Sequence, residues 1–305
     1  MTTTPGAHGV DHADGSTADG PTADLRIDAL SRRPTVVVAS RQGRPNLPES
    51  GCPFCPGGLE APDQYQVRWF TNRWPAMPGD RCEVVLYTPV HDAQFWTLGT
   101  SGARRVVDLW AERTAALGAR DDVDYVLVFE NRGPEVGATI SHPHGQIYAF
   151  DSIPPVPLEE LVDGVLEPDT VDENLIVSRS GDWSAWVPTA AVYPYELRLA
   201  PTGDVGALTD LACDRDGLAA VLVDCLARLD QLFDAPMPYM LWIHQRPTDG
   251  AAWPGARLHV HITPLLRSAG TQRYVAAAEL GSGVFFDPVD PVDAASALRD
   301  CDGAG

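Results

Sequence analysis

Gly137-Ala138-Thr139-Ile140-Ser141-His142-Pro143-His144-Gly145-Gln146-Ile147-Tyr148 places two histidines and a glutamine at alternate positions of one short segment. Residues at i, i+2 and i+4 of an extended chain share a face, so His142, His144 and Gln146 address one small volume. Two imidazoles and a carboxamide there suit a metal shell, or an attack on phosphorus with support for its oxygens. Spacing leaves open which histidine does which. Gly145 keeps the backbone beside that face bare, so a phosphate can approach closely. A pair of hydrogen-bonded core histidines would not explain Gly145 and Gln146 in the same register.

A second strand-like run, Leu258-His259-Val260-His261-Ile262, echoes this pattern without the following Gly-Gln. The surroundings echo it too. β-rich runs at 35–40, 66–71, 83–88, 124–130 and 146–150 bracket a predicted helix over 101–117, where Val106, Leu109, Trp110 and Thr114 recur at helical spacing. Runs at 174–178, 183–187 and 196–199 then precede a predicted helix over 205–233, with further strands at 240–244 and 257–264. The expected fold is α+β, a tandem pair of units, each an antiparallel sheet with packed helices. Residues 1–24 read as a disordered leader, 25–155 as the first unit and 156–305 as the second. Because the echo lacks Gly-Gln, the two units are expected to differ in chemistry.

Composition narrows the function. The 305 residues are 44% apolar and carry a formal charge of −20, with a pI near 4.6. Such an acidic surface repels nucleic acid and anionic membranes, so neither is an expected partner. An anionic substrate needs a local cluster of positive charge. No apolar run reaches the ~18 residues of a membrane span, and the start of the chain lacks a signal-peptide pattern. A cytoplasmic location is expected.

Of six cysteines, four stand singly, and Cys52-Pro53-Phe54-Cys55 forms a pair set in a turn by Gly51 and Pro56-Gly57-Gly58. That turn offers two thiolates to one ion, and His91 and His142 are candidates by position to complete a tetrahedral zinc shell. A redox role prefers a helix directly after the first cysteine, which Pro56-Gly57-Gly58 opposes. His244, His259 and His261, with Glu160, form a second candidate cluster; a hydrogen-bonded core set is the competing reading.

A neutral imidazole is a competent nucleophile toward phosphorus near pH 7, its ordinary pKa being about 6.5. If one ring nitrogen gives its proton to a carbonyl, the other lone pair is aimed. Gln146 then donates to a non-bridging oxygen as charge redistributes.

With these segments assembled, the chain resembles the galactose-1-phosphate uridylyltransferase family of the histidine triad superfamily. The resemblance rests on Phe129-Glu130-Asn131-Arg132-Gly133 running into His142-Pro143-His144-Gly145-Gln146, on Cys52-Pro53-Phe54-Cys55, and on His259-Val260-His261 followed by Pro264-Leu265-Leu266-Arg267-Ser268. Ser40-Arg41-Gln42-Gly43-Arg44-Pro45, Phe70-Thr71-Asn72 and Thr88-Pro89-Val90-His91 extend it from about Arg26 to Arg299. It implies histidine-triad-like units, His144 as the nucleophile that carries a uridylyl group, and Gln146 on its phosphoryl oxygens. It implies structural zinc on Cys52, Cys55, His91 and His142, and a second metal, iron or zinc, on Glu160, His244, His259 and His261. Arg41 and Arg44 would meet phosphate, Phe70 and Asn72 the nucleotide, and Asn131 the hexose phosphate. Thr139, Arg273 and Glu279 are the remaining implied substrate contacts, and a homodimer is implied, its sites completed across the interface.

The sequence also departs from the family. Arg73 stands where members often carry Asp, and Arg273 and Ala278 stand for a lysine and a tyrosine, while Glu279 is kept. Gly281-Ser282-Gly283-Val284-Phe285-Phe286 resembles related nucleotide-sugar phosphorylases. The leading expectation is ping-pong exchange of UMP between UDP-glucose and galactose 1-phosphate. Its alternatives are a phosphorylase that takes inorganic phosphate, and a zinc-ordered nucleotide-binding module without turnover.

Overall fold

The computed structural model describes residues 24–43, 51–164, 166 and 168–303. The expected leader therefore lies outside the described residues, apart from Asp24. In chain order the elements are β1 (Asp24–Ile27), β2 (Pro34–Val37), β3 (Arg68–Thr71), β4 (Cys82–Leu86), α1 (Gly99–Gly118), β5 (Tyr125–Arg132), β6 (His144–Phe150) and α2 (Pro155–Asp163). There follow β7 (Ile176–Ser180), β8 (Trp183–Trp186), β9 (Leu197–Pro201), α3 (Arg215–Gln231), β10 (Tyr239–His244) and β11 (His259–Pro264). The chain ends with β12 (Leu266–Ser268), β13 (Thr271–Gln272), α4 (Ala277–Ser282) and α5 (Pro291–Asp300).

Alternation decides which way β6 faces. Gly145, Ile147 and Ala149 are buried, while His144, Gln146, Tyr148 and Phe150 are only partly so. The buried set packs into the main apolar core with Val106, Trp110, Leu218 and Leu222 of α1 and α3, two helices that lie against each other. The partly buried set looks out from the opposite face of the sheet.

Among the described residues, nine strands form one antiparallel sheet in the order β3-β4-β6-β5-β10-β11-β9-β8-β7. Outward from the β5–β10 seam the first half reads β5-β6-β4-β3 and the second β10-β11-β9-β8. Each half inserts its long helix at the same point, α1 after β4 and α3 after β9. The fold is thus the expected α+β tandem pair. Its two sheets are fused, with Glu130 opposite Leu241 and Val128 opposite Ile243 at the seam.

One expected element shrinks. The helix predicted over 205–233 begins only at Arg215, where the Asp214 carboxylate accepts from the Gly217 N–H and caps the first turn. Asp210 occupies the preceding segment, its carboxylate taking the N–H groups of Gly206 and Ala207, which holds that stretch as a turn. In the first half the run expected at 35–40 ends at Val37, and a 3-10 turn from Ala39 to Gly43 carries Arg41.

A buried ion pair fastens α1 to the edge of the sheet. Arg113 of α1 grips both oxygens of Glu83 on β4, at 2.9 and 2.7 Å, and its guanidinium carbon lies 3.6 Å from the centre of the Trp69 ring on β3. Removing one member leaves a buried charge unpaired, which costs far more than the pair contributes against an apolar substitute. Arg113→Met should therefore destabilise the fold by about 3 kcal/mol, read by urea denaturation. Adding Glu83→Gln should recover part of that loss.

Candidate active site and metal centres

The turn after β2 brings Cys52 and Cys55 together. A Cβ on Gly58 would lie 2.6, 2.7 and 2.8 Å from the carbonyl oxygens of Pro53, Cys52 and Cys55, so only glycine fits where the chain doubles back. Phe54 and Ala61 pack with Val84 and Leu86 of β4 in a small satellite core, which seats the turn on the outward face of the sheet.

Cys52, Cys55, His91 and His142 converge there. The Nδ1 atom of His142 is 3.7 Å from the Cys52 Sγ and 3.6 Å from the Cys55 Sγ, and the His91 Nδ1 is 3.5 Å from the Cys55 Sγ. A tetrahedral zinc shell with ordinary bond lengths has S···N edges of about 3.6 Å. The Nε2–H of His142 donates to the Thr88 carbonyl at 2.7 Å, which leaves the Nδ1 lone pair toward the thiols. Burial lowers the pKa of His142, so its ring is neutral, the form that binds metal. Burial also raises the Cys55 thiol, with the neighbouring Cys52 adding to the effect. The donor set fits a divalent ion.

His144 belongs to the same segment but faces elsewhere. Its Nδ1–H donates to the carbonyl of His142 at 2.8 Å, which places the proton on Nδ1 and the lone pair on Nε2. The edge of Phe54 meets the ring, with centroids 5.1 Å apart. In front of His144 lies a cavity of about 1090 Å³, lined by Arg41, Phe70, Asn72, Asn131, Thr139 and Gln146 among others. Of the seven substrate contacts and catalytic partners expected beside His144, once Arg273 and Glu279 are set apart, six are thus gathered. Arg44, the other omission, lies outside the described residues.

Arg273 and Glu279 sit elsewhere and bind each other. Arg273 donates to both Glu279 oxygens, and the same carboxylate accepts from the N–H groups of Ala276 and Phe286. With its oxygens so occupied, Glu279 orders the 273–286 segment of its own chain, and neither residue reaches the His144 cavity within that chain.

Beside Arg73, which the sequence singles out, the cavity also holds Glu60 and Trp74, which reading the sequence missed. Arg73 forms an ion pair with Glu60 at 2.9 Å, and both line the cavity together with Trp74. Glu60 follows the Cys-x-x-Cys turn closely, and its N–H donates to the Pro53 carbonyl at 3.0 Å. Phe54 and Phe70, with ring centroids 5.8 Å apart, supply an apolar wall.

The second cluster assembles on the other half. Glu160 of α2 meets the His244 Nδ1 at 2.5 Å and the His259 Nε2 at 3.2 Å through one oxygen, and the His261 Nε2 at 3.6 Å through the other. The His259 Nδ1–H donates to the Arg257 carbonyl at 2.8 Å, which turns its Nε2 lone pair inward. The Nε2 of His261 is buried without a hydrogen bond. Burial, with repulsion from His259 and Arg198, pushes the His261 ring down to about 2, and burial lowers His244 as well. Burial pushes Glu160 up, but the His244 and His259 imidazoles beside it outweigh that and hold the carboxyl below its ordinary range. Imidazoles grouped around a carboxylate, one with an orphaned nitrogen, fit a metal better than a hydrogen-bonded core set. These are the two groups of such donors found among the described residues. None of the helices described is long and apolar enough to cross a membrane.

Comparison with known proteins follows the same lines. Residues 75–154 match the N-terminal domain of galactose-1-phosphate uridyl transferase, and residues 157–284 match its C-terminal domain. The chain is 31% identical to the galactose-1-phosphate uridylyltransferase of Thermotoga maritima, over 91% of this chain and 98% of that one. It is 34% identical to that of Streptomyces lividans, over 83% and 80%. An ADP-glucose phosphorylase of Arabidopsis thaliana is 25% identical over 94% and 95%. Among solved structures, a uridylyltransferase superposes with a TM-score of 0.81 at 28% identity, covering 90% of this chain and 97% of that one. With both family domains matched in order and that identity sustained along nearly its whole length, the chain belongs to the galactose-1-phosphate uridylyltransferase family.

Proposed function

We propose that this protein exchanges UMP between UDP-glucose and galactose 1-phosphate through a covalent uridylyl-histidine. The observation that carries the reading is the hydrogen bond from the His144 Nδ1–H to the His142 carbonyl, with Gln146 on the same face of β6 and a cavity before both. The Nε2 lone pair attacks the α-phosphorus, a P–N bond forms, and the P–O bond to glucose 1-phosphate breaks. Galactose 1-phosphate then attacks through a phosphate oxygen, the P–N bond breaks, and its electron pair returns to Nε2. The acceptor is already an anion, so no general base is needed. The His142 carbonyl steadies the positive charge that the ring takes up, and the Gln146 carboxamide donates to a non-bridging oxygen. Arg41 and Arg73 supply local positive charge against the net −20. Phe70 and Asn72 serve the nucleotide, and Asn131 and Thr139 the hexose phosphate.

Zinc on Cys52, Cys55, His91 and His142 would fix the turn and, through His142, the nucleophile. Iron or zinc on Glu160, His244, His259 and His261 would tie α2 to β10 and β11. Residues 25–155 and 156–305 are read as a tandem repeat of histidine-triad-like units, of which the first keeps the nucleophile. A homodimer is part of this reading, with the 273–286 segment serving the partner's site. Its support is the exposure of Tyr274, Leu280, Val284, Phe285 and Phe286. A cytoplasmic setting agrees with six unpaired cysteines. A phosphorylase that takes inorganic phosphate is the second reading, favoured by Arg73 in the cavity and by the ADP-glucose phosphorylase relative.

Brief exposure to UDP-glucose without acceptor, followed by intact-mass spectrometry under alkaline conditions, should show one UMP adduct that His144→Ala abolishes. Galactose 1-phosphate should discharge it to UDP-galactose; discharge by inorganic phosphate to UDP would establish the second reading. No adduct with UDP-glucose or ADP-glucose would leave a binding module. Gln146→Ala should slow adduct formation by about 10²–10³-fold. Elemental analysis should find zinc at one equivalent in the first cluster, and Cys55→Ser should lose it while the metal of the second cluster stays.

A further inference from the structure

Behind the nucleophile, on the helix side of the sheet, lies a buried polar cluster that the transfer chemistry does not use. Glu130 of β5 is 5% exposed, and Tyr239 of β10 donates its O–H to the Glu130 Oε1 at 2.7 Å. The other oxygen, Oε2, is buried without a hydrogen bond, as are the Tyr87 Oη and the Trp110 Nε1. Two donors and one acceptor are thus held together: Tyr87 interacts with both Glu130 and Trp110, and its ring stands 5.8 Å from that of Trp110. Buried polar atoms of this kind are costly unless something maintains them.

Tyr87 itself brackets the nucleophile. Its N–H donates to the carbonyl of Pro143, the residue before His144, at 3.2 Å. Its hydroxyl fills the notch left by Gly145, the residue after His144: a Cβ there would lie 2.1 Å from the Tyr87 Oη. Register carries the contact onward, with Leu86 opposite His144 and Val84 opposite Gln146. Tyr87 therefore touches the backbone on both sides of His144.

The geometry points to Glu130 and Tyr87 as positioning residues: the acid shares the buried pocket of the Tyr87 hydroxyl under Gly145, and Tyr87, in contact with the backbone on both sides of His144, sets where the His144 ring and the Gln146 carboxamide stand. This rests on the transfer reading above. Angular and distance errors of about 1 Å in a nucleophile cost rates on the order of 10²-fold, so a contact that removes slack is felt in the rate of attack. The groups that face Glu130 are Tyr87 from the segment after β4, Tyr239 from β10 and Arg132 from its own strand, with Trp110 of α1 against Tyr87; Arg132 is itself paired with Asp230 of α3.

The test is the rate of UMP adduct formation on the full-length protein, followed by rapid quench over a range of UDP-glucose. Tyr87→Phe keeps the ring and deletes one oxygen; Glu130→Gln keeps the size and removes the acid. Each should lower the saturating rate about tenfold with half-saturation unchanged. The double variant should be no slower than the slower single one, because both act through one contact. Wild-type saturating rates in either single variant, or losses that multiply in the double, would overturn the inference alone. Absence of any adduct in wild type would remove the transfer reading and this inference with it. Should Glu130→Gln fail to fold, Tyr87→Phe decides by itself.

A second readout follows the acid. Burial pushes the Glu130 carboxyl up from its ordinary 4.5 to about 7, against the Tyr239 hydrogen bond. A raised folded pKa means that its stabilising contribution is complete below pH 4.5 and is lost as pH rises through 7. The thermal midpoint of wild type should therefore fall more steeply than that of Glu130→Gln over that window. Parallel profiles would place the carboxyl in water and count against its role.

Discussion

Everything at this site hangs on one residue used twice. The ring of His142 turns toward two thiols and a second imidazole, while its backbone carbonyl accepts the Nδ1 proton of His144. The packing of the thiol–imidazole cluster and the alignment of the His144 ring are therefore one constraint. The ring is fixed by the Thr88 carbonyl behind it, so the peptide that follows is fixed too, and the tautomer of His144 is chosen before substrate arrives. A proton held on Nδ1 by a rigid carbonyl costs nothing to reorganise during the reaction, the kind of preorganisation on which enzymes draw most heavily.

The site opposes the field of the whole chain. The molecule carries 20 net negative charges, yet the cavity presents Arg41 and Arg73, with Glu60 as the carboxylate paired to the second. Such a local inversion favours an anion that fits the cavity over anions at large. The same acidity discourages polyanions from binding elsewhere.

Much of this was legible in the sequence, and what was not has identifiable reasons. Period-two alternation gave the strands beside the nucleophile, and the echo at His259 gave the repeat. Spacing could not divide His142 from His144, because the hydrogen bonds that separate them go to carbonyls, one of them 54 residues away. The apolar stretch Val205-Gly206-Ala207-Leu208 read as helix because Asp210 and Asp214, which cap and turn it, act through backbone contacts that no periodicity records. Glu60 was invisible, since its place in the cavity follows from the fold of the cysteine turn. Within the chain Arg273 and Glu279 bind each other, a pairing that their spacing does not announce.

The fused seam has a consequence for how such a chain can be cut or inherited. Because β5 of one half pairs with β10 of the other, neither half finishes its sheet alone; each would present a long, apolar, unpaired strand edge, the feature most prone to aggregate. α1 and α3 share one apolar core across the same line. A duplication joined in this way cannot be undone by a single break in the linker. Each half is thus the other's edge cover, and the sheet closes only when both are present.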